Sequence, residues 1–293
     1  MSELSIIQGP YLQDILGQPQ ALQDTLLGLD TSKPLNRLVT RLRRGSYQRI
    51  VLTGMGGSFH ALYPATLELV DHGFNAIRVE TSELVHYQDR FLDSRSLIIV
   101  VSQSGESAEV VRLLQRNRSR ADLIAVTNSP DSTLARCADA VVRTLAGEEF
   151  SVACKTYVAG LMALKWLADV LCGKYLQRTR QKLAKAVSAA RIHLSLWESH
   201  TRALMSKLES ARLVFLVGRG RISCRSLRWR ADCQGERASA GGRHEQRGLS
   251  ARSIRDAGQE GVRVRFCWRF KDGGTKPKIA PRYPESRRFG GDG

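Results

Sequence analysis

The chain has 293 residues, 42% of them hydrophobic, with 45 Lys and Arg against 28 Asp and Glu. That length holds one large domain or two ordinary ones, with enough apolar residues for a real core. No apolar run reaches the roughly 18 residues of a membrane span. The N-terminus shows neither the basic region nor the apolar stretch of a signal peptide. Six scattered cysteines with no C-x-x-C pair read as reduced thiols in a cytoplasmic protein.

The net charge of +17 is unevenly placed. Residues 219–293 hold 19 Lys and Arg against 8 Asp and Glu, whereas 1–218 hold 26 against 20. The last 75 residues also contain only seven Leu, Ile and Val. Two kinds of sequence meet near Gly220.

In chain order, Pro10 to Leu29 reads as helix, with Gly17 and Pro19 dividing it into two short pieces. A second helix covers Leu35 to Arg44 and ends at Gly45-Ser46. A strand beginning at Arg49 then breaks into Gly54-Met55-Gly56-Gly57-Ser58, which opens a helix running to Val70. Ala76–Glu80 reads as a strand and Ser82–Tyr87 as a short helix. The uncharged run from Leu97 ends in Ser102-Gln103-Ser104-Gly105-Glu106-Ser107. Such a run reads as a buried parallel strand, and its hydroxyl-rich loop opens a helix.

Further strands are expected at Leu123–Thr127 and Ala140–Thr144, with a short helix at Thr133–Cys137 between them. A long apolar helix follows at Val152–Leu171, then a helical region from Leu176 to Leu208 and a strand at Leu213–Val217. Strands alternating with helices predict an α/β fold, a doubly wound parallel sheet with helices on both faces.

Both serine loops fall at the carboxyl edge of that sheet, where such folds bind ligands. Free N–H groups at a helix start attract anions; serine hydroxyls there can donate to phosphate oxygens. The plainer alternative is that Ser104 or Ser107 caps the helix, with Glu109 completing the turn. Two such loops on one edge favour a small anionic ligand. A dinucleotide fits less well, because Phe59 replaces the third glycine of G-x-G-x-x-G, although Glu80 lies near the ribose-binding distance. His60, His72 and His86 show no partner pattern, and no metal or cofactor is called for.

These motifs resemble the SIS (sugar isomerase) domain, and most of all the isomerase half of the glutamine–fructose-6-phosphate aminotransferase family. Ser102–Ser107 matches that family's S-Q-S-G-E-[TS], and Gly56-Gly57-Ser58 stands where it has C-G-T-S. The stretch from Leu16 to Leu26 is similar to its E-Q-P-x-A-[LI]-x-x-T-L helix. Glu149–Tyr157 is similar to its E-x-x-V-A-[SC]-T-K segment, with one residue fewer before the lysine.

The resemblance implies that Ser102, Gln103, Ser104 and Ser107 hold a sugar phosphate, while Gly57, Ser58, Val152, Ala153 and Cys154 line the sugar. For Cys154 a small buried residue on an apolar helix is nearly as good a reading, and Lys155 either approaches the phosphate or is an ordinary solvated lysine. The implied class is an isomerase or aminotransferase acting on a phosphate such as fructose 6-phosphate or glucosamine 6-phosphate. A non-catalytic sugar-phosphate sensor is the alternative. An intact family member is expected to be a homodimer.

Two departures qualify the resemblance. The family's glutaminase domain, with its N-terminal cysteine nucleophile, has no counterpart, since Ser2 follows Met1. Glutamine hydrolysis is therefore not expected. The Lys-Glu and His-Gly-Pro segments that supply the family's proton-shuttling glutamate and ring-opening histidine are also missing after Gly218. Read one nucleotide later, permitted codons for Gln234–Glu236 spell Lys-Glu, and those for Ser250–Ile254 spell Arg-His-Gly-Pro-Phe. The tail is thus expected to be a translation out of frame.

The expected organisation is an N-terminal helical segment at 1–44 and a first SIS domain at 45–175. Linker helices and the start of a second SIS domain follow at 176–220, then an irregular basic tail at 221–293. Nucleic acid is expected to meet that tail only through nonspecific charge.

Overall fold

The computed structural model describes residues 9–118, 120–150 and 152–208, together with 214–217, 220 and 263–266. Helices α1 (Pro10–Leu16), α2 (Gln18–Gly28) and α3 (Lys33–Arg43) precede the sheet. Gly17 separates the first two, and Pro19 enters the first turn of α2, where its missing N–H removes no intrahelical bond. Five parallel strands follow: β1 (Arg49–Gly54), β2 (Ala76–Glu80), β3 (Ser96–Val101), β4 (Asp122–Thr127) and β5 (Ala140–Arg143). Their connections carry α4 (Gly56–Asp71), α5 (Thr81–His86), α6 (Ala108–Asn117) and α7 (Thr133–Cys137). A 3₁₀ turn at Asp89–Phe91 was not foreseen.

The spatial order is β2-β1-β3-β4-β5, every neighbouring pair parallel. Strand side chains alternate between two cores. Ile50, Leu52, Leu97, Ile99, Ile124 and Val126 pack on the face covered by α2, α3, α4 and α8 (Lys155–Leu171). Val51, Ile98, Val100, Leu123 and Ala125 pack on the other, with Leu84 of α5, Val110 of α6 and Leu134 of α7. All six residues of β3 are buried, as a central strand covered on both faces requires. The doubly wound α/β sheet expected from the sequence is present. The N-terminal helices share its core through Leu22, Leu26, Leu35 and Leu38.

Helix α8 starts at Lys155 rather than Val152, because residues before it form a turn. The following helical region is broken at Leu196 into α9 (Leu176–Ser195) and α10 (Trp197–Leu208). Beyond it β6 (Val214–Val217) pairs antiparallel with β7 (Arg263–Phe266). That four-residue strand departs from an irregular tail. Otherwise the expectation for 221–293 lies outside the described residues, as do the missing family segments.

Helices α4 and α8 are joined by buried charge. Asp169 and Glu68 are each 2% exposed. Lys165 lies 2.6 Å from Asp169 and 3.5 Å from Glu68, and Thr179 of α9 donates to Asp169 at 2.8 Å. Lys174 pairs with both carboxylates. Burial pushes the Asp169 carboxyl up, but hydrogen bonds from Lys165 and Thr179 outweigh it and hold the group below its ordinary range. Asp169→Asn is expected to destabilise the fold by about 2 kcal/mol, less than the roughly 3–5 of a fully buried pair, because both lysines reach solvent. A carboxyl with a depressed folded-state pKa contributes fully above its unfolded value of about 3.9. The difference between wild type and variant in urea titrations should therefore shrink as pH falls below that value.

Candidate sugar-phosphate site

The chain reverses its direction of strand addition at β1, so the carboxyl ends of β1 and β3 diverge into separate loops side by side. This is the switch point at which open α/β sheets bind ligands. Gly54 ends β1 beside Val101, its register partner. A side chain at Gly54 would come within 3.0 Å of the Val101 carbonyl and 3.2 Å of the Phe59 nitrogen. Only a glycine lets the two loops lie this close.

After Val101 the loop is fixed by its own hydroxyls. Ser102, 8% exposed, accepts from the Gly105 N–H at 3.1 Å. Ser104 accepts from the Glu106 N–H at 3.3 Å. Ser107 is the N-cap of α6, accepting from the Val110 N–H at 3.4 Å. Of the two capping candidates, Ser107 is the one that caps. Capping does not compete with anion binding here, because a hydroxyl that accepts from an N–H still has its own proton to donate.

The loop is also tied to the segment after β4. The Gln103 carbonyl accepts from the Asn128 N–H at 3.1 Å and from Thr127 Oγ1 at 3.2 Å. The Glu106 carboxylate accepts from the Thr133 N–H at 2.5 Å, a bond that holds this exposed acid below its ordinary range. Gly105 has φ +66°, and a Cβ there would stand 2.2 Å from Ser132 Oγ. Backbone and space both demand glycine at this position.

A cavity of about 280 Å³ opens against these loops, near the small end for ligand pockets. Gly57, Ser58, Gln103, Val152 and Ala153 line it, and none of its lining residues is charged. A second, more open hollow of about 1060 Å³ shares Gln103 and adds Ser104, Ser132, Asp131 and Glu149. Of the residues singled out from the sequence, Gly56, Ser102, Ser107 and Cys154 line neither hollow. Sequence reasoning did not pick out Thr127, Thr144, Thr156 and Tyr157, which also line the smaller cavity. Thr127 and Thr144 lie at the carboxyl ends of β4 and β5, a position that could have marked them.

Cys154 is the residue before α8 rather than part of it. Burial pushes its thiol up to about 11, with the neighbouring Glu149 carboxylate adding to the rise, so it stays protonated and a poor nucleophile at neutral pH. Lys155 is neither solvated nor directed to the serine loop. Its Nζ lies 2.9 Å from Asp14 of α1, whose side chain is 1% exposed. The other Asp14 oxygen accepts from the Phe150 N–H at 2.9 Å. Among the described residues no three His, Cys, Asp or Glu side chains are grouped to hold a metal ion, and no helix is long and apolar enough to cross a membrane.

The SIS domain family matches residues 46–169, a span that holds all five parallel strands. The glutamine–fructose-6-phosphate aminotransferase of Pyrococcus horikoshii is 33% identical over 220 residues, covering 71% of this chain and 35% of that protein. Its counterpart from Streptomyces coelicolor is 34% identical over 158 residues, covering 52% of this chain and 26% of that one. The chain thus spans about a third of the length of the curated relatives it matches. Among solved structures, the C-terminal domain of glucosamine-fructose-6-phosphate aminotransferase from Francisella tularensis aligns with a TM-score of 0.56 and 22% identity. That alignment covers 72% of this chain and 62% of that one, and it reflects a shared fold. From motif, sheet order and relatives together, residues 46–169 are an SIS domain, and the chain carrying them is similar to the glutamine–fructose-6-phosphate aminotransferases.

Proposed function

We infer that the chain binds a phosphorylated sugar at the β1/β3 switch point, with fructose 6-phosphate and glucosamine 6-phosphate as the leading candidates. One observation carries this reading: Gln103 of the serine loop that opens α6 lines an uncharged cavity, and its neighbour Ser104 lines the adjoining, more open hollow. A phosphate dianion there meets hydroxyl protons and the positive end of a helix rather than a lysine or arginine. The phosphate is assigned to Ser102, Gln103, Ser104 and Ser107, and the sugar to the wall of Gly57, Ser58, Val152 and Ala153. The aminotransferase relatives support an isomerase or aminotransferase class for the ligand.

In this reading residues 45–175 are the ligand-holding SIS domain, and 176–220 lead into a second SIS domain that the out-of-frame tail replaces. An intact chain would pair as a homodimer. The chain itself binds but hardly turns over, because interconverting an aldose and a ketose needs a positioned acid and base to move the proton between C1 and C2. The segments that would supply them, Lys-Glu and His-Gly-Pro, do not occur after Gly218.

Ser104 is exposed and holds only a local turn, so Ser104→Ala should leave the fold intact. Removing one donor to a charged group costs roughly 1.5–3 kcal/mol, and calorimetry with fructose 6-phosphate should show at least tenfold weaker binding. Equal affinities would reduce the loop to a turn and a helix cap. A chain whose reading frame is restored after Gly218 should isomerise fructose 6-phosphate at least about 10²-fold faster, since each acid or base typically contributes about 10²–10⁴. Equal rates for the two chains would remove the proton chemistry from the second domain.

A further inference from the structure

Two helices begin beside the cavity, and their N-termini are satisfied in opposite ways. Ser107 caps α6 with a neutral hydroxyl. The start of α8 instead receives a full negative charge from its own chain. Glu149 Oε1 accepts from the N–H groups of Cys154 at 2.6 Å, Lys155 at 2.7 Å and Thr156 at 3.3 Å. Its Oε2 accepts from the Thr156 hydroxyl. Helix-start N–H groups have no intrahelical partner, and here one carboxylate collects three of them.

The turn that Glu149 closes is the wall of the cavity. Val152, Ala153 and Thr156 line the smaller hollow, whereas Glu149 lies behind them and opens on the larger one. Val152 is 39% exposed, so the core does not fix it, and Ala153 has only a methyl group. Their positions depend on the hydrogen bonds that fold the turn back onto α8. That helix is anchored in the core, with 12 of its 17 residues buried.

The charge has a second effect. A helix start free of a counter-anion would compete for the phosphate, but this one is already occupied by a carboxylate and repels a dianion. The α6 start, closed by a hydroxyl, does not. We propose that Glu149 is a positioning residue that fixes the sugar-side wall and orients the ligand, directing its phosphate to the Ser102–Ser107 loop and its sugar to Val152 and Ala153. This proposal rests on the sugar-phosphate reading of the site.

The test compares the full-length wild type with Glu149→Ala and Glu149→Gln, titrating each with fructose 6-phosphate and with inorganic phosphate. Inorganic phosphate reports the serine loop alone, and the hexose phosphate reports loop and wall together. Glu149→Ala should weaken fructose 6-phosphate at least tenfold while binding inorganic phosphate as tightly as wild type or more tightly. If the alanine variant does not fold, Glu149→Gln, which keeps one acceptor oxygen, decides the matter with a smaller loss confined to the hexose phosphate. Unchanged affinity for fructose 6-phosphate, or equal losses for the two ligands, overturns the proposal and leaves the site reading standing. A wild type that takes up neither ligand overturns the site reading, and this proposal with it.

Discussion

Everything at the candidate site depends on β3 being held between β1 and β4 in one register. Its backbone pairs on both edges, Val101 with Gly54 on one side and with Val126 on the other, and all six of its side chains are buried. A slip by one residue would exchange the two cores it feeds. A slip by two would keep the cores but carry the serine loop some 6–7 Å along the sheet, away from the glycine turn after β1. The fully buried strand thus fixes the height of the loop, and the tight approach of Gly54 fixes its lateral position.

Under the proposed reading, the loop would hold an anion with neutral hydroxyls rather than basic residues. Each serine uses a lone pair to shape the backbone, and the same geometry leaves a proton to offer. The chain's large positive charge plays no part at the cavity lining, which is uncharged. An ammonium group is strongly hydrated, so hydroxyls in its place would lower the cost of stripping water from the loop. Of the five acids that line the larger hollow, Glu106 is committed to the start of α7 and Glu149 to the start of α8.

Much of this was legible in the sequence, for reasons that differ by element. Strand β3 stood out because an uncharged run ending in small polar residues has few alternatives, and Ala76–Glu80 and Thr133–Cys137 fall as expected from their flanking turns. The start of α8 did not, since Val152 and Ala153 continue an apolar pattern. The true boundary is set by a carboxylate several residues upstream, and periodicity is blind to such a bond. The break at Leu196 was hidden in the same way, because leucine suits a continuous helix. Asp14 and Lys155 lie 141 positions apart, and nothing local to either signals their pairing. For the site, sequence motifs selected the loops, and the expected strand ends at Thr127 and Thr144 already marked two further lining residues, whereas Thr156 and Tyr157 on α8 carried no such signal.

The pairing of Asp14 with Lys155 and the Phe150 amide gives the first helix a role that its place in the chain conceals. The family match begins at residue 46, and a fragment cut there would keep every strand of the parallel sheet. It would also remove the buried carboxylate that pins the far side of the cavity turn and pairs with Lys155. The unit that supports the candidate site is therefore longer than the strand-bearing motif. It begins upstream of Asp14, and a domain boundary drawn from strand topology alone would sever the site from one of its supports.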